Sequence, residues 1–109
     1  MMRKNPQIQR LWQAARFLPM TARFLGTRYR SLFLAYARQN EPAGEAQPVA
    51  DALAFIDFMS RQERLALLDP ERGALRRDER ALRRRFRLRR QGGRVEAVEK
   101  WKILQWLRI

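Results

Sequence analysis

Residues 80–94 read RALRRRFRLRRQGGR, with eight arginines and no acidic residue. The pattern changes inside the stretch. Arg83, Arg84 and Arg85 crowd together as at a helix end. Phe86 and Leu88 then alternate with Arg85, Arg87 and Arg89. Such apolar–polar alternation marks a half-buried strand. Gly92-Gly93 supplies the positive φ angles of a tight hairpin, and a second β-compatible run, residues 94–98, follows at once. The stretch predicts a basic helix feeding a two-stranded ribbon whose outer face is arginine.

Upstream the spacing is helical. Asn5-Pro6 is a cap followed by proline at the first helical position. Ile8, Leu11, Trp12 and Ala15 form a stripe that Leu18 continues, and Pro19 ends or kinks it. A short helical turn over residues 21–25 is closed by Gly26, and Thr27 can cap the next helix. That helix carries Tyr29, Leu32, Phe33, Tyr36 and Ala37 on one face. Residues 39–47 form a loop marked by Asn40, Pro42 and Gly44. Pro48 opens a third helix, with Asp51 in its first turn suited to the helix dipole. Val49, Ala52, Leu53, Phe55, Ile56 and Met59 make its core face. Residues 60–68 continue as helix after a break. Asp69-Pro70 repeats the cap-plus-proline signal and opens a fourth helix, to about Arg84, around Leu75 and Leu82.

The expectation is a single α+β domain over residues 1–109. About four packed helices fill residues 1–84, and an antiparallel hairpin or small sheet fills 85–109. Beyond the glycines two readings compete. Trp101, Ile103, Gln105 and Leu107 alternate as one face of a strand. Val95, Val98, Trp101 and Leu104 fit helical spacing, with Glu96 and Lys100 as a helix-type pair. The preceding alternation favours strands.

The chain has 109 residues, 24 basic against 11 acidic side chains, and a net charge of +13. Hydrophobic residues make up 46%, so this is no disordered polycation. The excess charge calls for an acidic partner: nucleic acid, an anionic surface, or an acidic protein or peptide. A plainer account is a bias towards arginine codons. Guanidinium suits carboxylate and phosphate alike.

With no Cys and no His, disulfides, thiol nucleophiles and imidazole catalysis are excluded. Most of the carboxylates stand beside arginines in helices, as Glu63, Glu71, Asp78 and Glu79 do, and they read as solvated surface charge rather than as a catalytic pair. No spacing suggests a metal site, and no glycine-rich phosphate loop is present. No apolar run approaches the ~20 residues of a membrane span. The N-terminus lacks a secretory signal. Its acid-free first forty residues resemble a transit peptide, but one that would consume much of the core. The chain therefore reads as a cytoplasmic binding protein, not an enzyme, with no cofactor of its own.

The candidate anion- or peptide-binding residues are Arg83, Arg84, Arg85, Arg87, Arg89, Arg90 and Arg94. They can neutralise a nucleic-acid backbone, with affinity falling as salt rises. They can equally hold the carboxylates of a peptide that adds to a free strand edge. Trp101 and Trp106 are a possible partner interface, since Trp and Arg are enriched at binding hot spots. Core packing is the other use for both.

Residues 18–59, LPMTARFLGTRYRSLFLAYARQNEPAGEAQPVADALAFIDFM, carry a resemblance. The order is Pro-x-Thr-Ala-x-x-Leu-Gly, an aromatic-rich helix, a proline-containing loop, then Asp-Ala-x-x-Phe. This resembles the small partner proteins encoded beside multinuclear non-heme iron-dependent oxidative enzymes that modify ribosomally made peptides. The helical then basic β layout, with RRFRLRRQGGRVEAV, is similar too. The resemblance implies a non-catalytic accessory subunit that binds the iron enzyme and delivers an acidic precursor peptide. Iron and oxidation would belong to the enzyme. By position, Arg85, Arg87, Arg89 and Arg90 become the peptide-binding candidates. Larger members carry a separate N-terminal domain that residues 1–109 do not include, so the mode of docking stays open.

Overall fold

A computed structural model has, among its described residues, five helices, a further helical turn at 100–102 and two paired strands. It describes residues 6–41, 47–62, 66–91 and 94–102, with the backbone alone for 90, 91 and 94–96. The helices are α1 (Pro6–Ala15), α2 (Pro19–Leu25), α3 (Arg28–Gln39), α4 (Pro48–Arg61) and α5 (Asp69–Arg85). The strands β1 (Phe86–Gln91) and β2 (Arg94–Glu99) follow as a two-stranded antiparallel sheet. The class is α+β, as the sequence predicts. The four expected helices become five because the turn at 21–25 is a seven-residue helix opened by Pro19. Among the described residues no helix is long and apolar enough to cross a membrane.

Aromatic side chains fill the centre. Phe33 and Phe55 are completely buried, and Tyr29 and Tyr36 nearly so. Their ring centroids lie 5.2–6.0 Å apart, within the range of favourable edge and tilted contacts. Burial pushes both phenols above the ordinary tyrosine range, so both stay protonated donors. Tyr29 donates to the Leu11 carbonyl at 2.7 Å and ties α3 to α1.

Three carboxylates read as surface charge or dipole partners are buried instead. Asp51 of α4 accepts from Arg10 Nε at 3.0 Å, Arg10 Nη2 at 2.8 Å and the Tyr36 hydroxyl at 2.8 Å. Arg10 Nη2 also donates to the Asn40 carbonyl at 2.9 Å. One cluster thus joins α1, α3 and α4, and the hydrogen bonds to Asp51 raise the Arg10 pKa despite its burial. Glu71 of α5 accepts from Arg28 at 3.0 Å and from the Leu68 N–H at 2.8 Å, so it caps its own helix while pairing with α3. Asp69, the expected cap, is already in the helix. Asp78 accepts from the Thr21 N–H at 2.6 Å and the Met20 N–H at 3.4 Å. These are orphan donors at the start of α2, so α5 caps a helix on which it packs.

The same cluster corrects the α1 stripe. Arg10 is drawn inward, the buried arc becomes Arg10, Leu11 and Ala14, and Trp12 is left 61% exposed. Two other expectations shift. Thr27 makes no side-chain cap bond. Helix α4 ends at Arg61, and residues 66–68 are not helical, so the expected continuation over 60–68 stops early. Residues 63–65 of that stretch lie outside the described residues.

Candidate ligand-binding ribbon

The basic helix and the ribbon meet at Arg85 and Phe86. Helix α5 runs one residue further than predicted, so Arg85 belongs to the helix and the strand begins at Phe86. The register pairs Phe86 with Glu99, Arg87 with Val98, Leu88 with Ala97 and Arg89 with Glu96. Alternation does the rest. Phe86 is buried, packing edge-on to Phe17 at 6.2 Å, and Ala97 lies against the core. The opposite face therefore presents Arg87 and Arg89, both exposed. The expected Gly92-Gly93 turn lies outside the described residues, between the paired ends Gln91 and Arg94.

Of the seven predicted arginines, Arg89 is exposed but already interacts within the chain, and the other six fall into three groups. Arg84 and Arg87 are exposed, with no carboxylate within ion-pair distance among the described residues. Arg83 and Arg85 are exposed but have neighbours: Arg83 lies 3.6 Å from Glu79, and Arg85 3.9 Å from Glu99. Exposed pairs of that kind contribute only ~0–1 kcal/mol, so a ligand carboxylate can displace them. The Arg85 guanidinium also lies over the Phe86 ring at 5.1 Å. The side chains of Arg90 and Arg94 lie outside the described residues, although their backbones belong to the strands.

Trp101 is half exposed; its indole N–H donates to Glu99, and Lys102 sits 5.6 Å from its ring. Residues 100–102 are helical, so the strand expected through Trp101 is not formed there. The physical reason is the competing 3.6-residue spacing of Val98 and Trp101. Trp106, with the rest of 103–109, lies outside the described residues.

A cleft of about 460 Å³ opens between the ribbon and the start of α4. Phe17, Val49, Phe86 and Ala97 contribute its apolar surface, and Arg85 and Lys102 its cations. The sequence reading missed it. Phe17 falls outside the helical stripe of Ile8, Leu11, Trp12 and Ala15, and only the fold brings it to Phe86. Among the described residues, no three of His, Cys, Asp and Glu come together as a metal-binding group. No protein-family model, curated protein or solved structure matches the chain.

Proposed function

We propose that the chain is a non-catalytic accessory protein that binds an iron-dependent peptide-modifying enzyme and recruits its acidic precursor peptide. The proposed setting is the cytoplasm, with the iron held by the enzyme. The observation that carries this reading is the ribbon. Its arginine face is exposed, its other face is anchored by Phe86, and among the described residues its sheet has only two strands. Each strand therefore keeps one side of its backbone without a strand partner, the feature an extended peptide uses when it adds to a sheet. Guanidinium groups beside that edge match the carboxylates of an acidic peptide. The resemblance of residues 18–59 supplies the enzyme as the second partner.

The test is capture. The tagged chain, mixed with the iron enzyme encoded beside it and with that enzyme's precursor peptide, should retain both. Retention of neither overturns the reading. Nucleic acid is the competing ligand, because an antiparallel ribbon of this kind also fits a major groove. Tight binding to generic duplex DNA, steeply salt-dependent, with none to acidic peptide, would favour it.

A further inference from the structure

The cleft beside the ribbon goes further than charge. It lies on the Phe86 side of the ribbon, opposite Arg87 and Arg89, so alternate side chains of an extended peptide added beside β2 would meet the two surfaces in turn. Phe17, Pro48, Ala97 and Val98 are each half-buried, so apolar surface remains accessible in it. Phe17 stands at 90° to the buried Phe86 and, itself half-buried, keeps ring surface that a third ring can meet. The cations Arg85 and Lys102 line it as well. Glu99 is a carboxylate in the lining, and it is already engaged by Arg85 and the Trp101 indole.

We infer that this cleft is a specificity pocket for an aromatic side chain of the bound peptide, flanked in that peptide by acidic residues. The inference rests on the ribbon's being the peptide site. An arginine face alone accepts any acidic segment. An apolar cleft on the ribbon's other face selects among them, because covering a ring with apolar surface adds affinity that charge cannot supply. The chemistry argues against a phosphate backbone as occupant, because the cleft is mainly apolar. The recognised class is thus an extended acidic peptide carrying a phenylalanine, tyrosine or tryptophan.

The experiment uses two fluorescein-labelled twelve-residue peptides of Asp, Glu, Gly and Ser, identical except for a central Phe or Ser. Anisotropy is read with the whole chain at low salt. The Phe peptide should bind at least ten-fold tighter, and its addition should shift the amide signals of residues 47–49 and 97–99. Gln47→Trp, placed at the rim of the cleft, should abolish the preference while leaving the Ser peptide's affinity unchanged. Lys102→Glu, at an exposed site, should weaken both peptides together. Equal affinity of the two peptides for the unmodified chain overturns the pocket and leaves the ribbon reading standing. Binding of neither overturns both. Should Gln47→Trp fail to fold, the Phe-dependent amide shifts decide alone: shifts confined to the arginine face would contradict the pocket.

Discussion

Asp51→Ala should lower the unfolding free energy by about 3–5 kcal/mol, the cost typical of removing one partner from a buried ion pair. The reason is the company Asp51 keeps. Its carboxylate accepts three hydrogen bonds, two from Arg10 and one from Tyr36. The Arg10 and Asp51 side chains retain only 5% and 9% of their accessibility. Without the carboxylate, Arg10 is left as a buried cation whose remaining partner is the Asn40 carbonyl. Its Nη1 is already without a hydrogen-bond partner. Urea denaturation measures the loss. The companion variant separates pairing from burial. Arg10→Met with Asp51→Leu removes both charges, and apolar replacement of a buried pair is often neutral or stabilising. The double variant should recover most of what the single one loses. A single variant within 1 kcal/mol of the unmodified chain would show that the pair does not hold α1 to α4.

Phe33→Ala should cost a similar ~3–5 kcal/mol, by the different route of an empty space at the aromatic centre. Phe33 is fully buried, with ring centroids of Tyr36, Phe55 and Tyr29 at 5.2, 5.3 and 5.7 Å. Those neighbours belong to α3 and α4, and the hydroxyls of Tyr29 and Tyr36 are held by hydrogen bonds to Leu11 and Asp51, so collapse around the gap is limited. Phe33→Leu keeps most of the volume and should lose clearly less. Equal losses for the two variants would mean that ring contacts, rather than filled volume, set the energy.

The helical core was legible because it obeys periodicity. Val49, Ala52, Leu53, Phe55, Ile56 and Met59 are all buried. So are Tyr29, Phe33, Tyr36 and Ala37. The hairpin was legible because alternation, a glycine pair and a second β-compatible run agreed with one another. What was hidden involves partners far apart in the chain. Arg10 and Asp51 are 41 positions apart, and Thr21 and Asp78 are 57. Nothing local marks Asp78 as buried, since it stands among the arginines of α5. A signal existed in Asp51: its neighbours Ala50 and Ala52 lie beside a continuous apolar face, and both are buried. A carboxylate in that setting needs a cation. Trp12 was misplaced as a consequence, since the arc that sinks into the core turns with Arg10. The site divides in the same manner. Its arginines are a local pattern, whereas the cleft needs Phe17, Val49 and Phe86 brought together by tertiary packing.

Binding to the ribbon is a matter of orientation. Arg87 and Arg89 project from the face opposite Phe86, where they contribute nothing to the core, so Arg87→Glu with Arg89→Glu should leave the thermal midpoint nearly unchanged. A charge-assisted hydrogen bond contributes ~1.5–3 kcal/mol, and reversal adds repulsion. With two such contacts removed, the affinity for an acidic peptide should therefore fall by about a hundred-fold or more. Fluorescence anisotropy of one labelled acidic peptide, titrated with the unmodified chain and with this double variant at fixed salt, measures it directly. A loss of that size with the fold intact is the predicted result. Indistinguishable titration curves would contradict the ribbon as the binding surface.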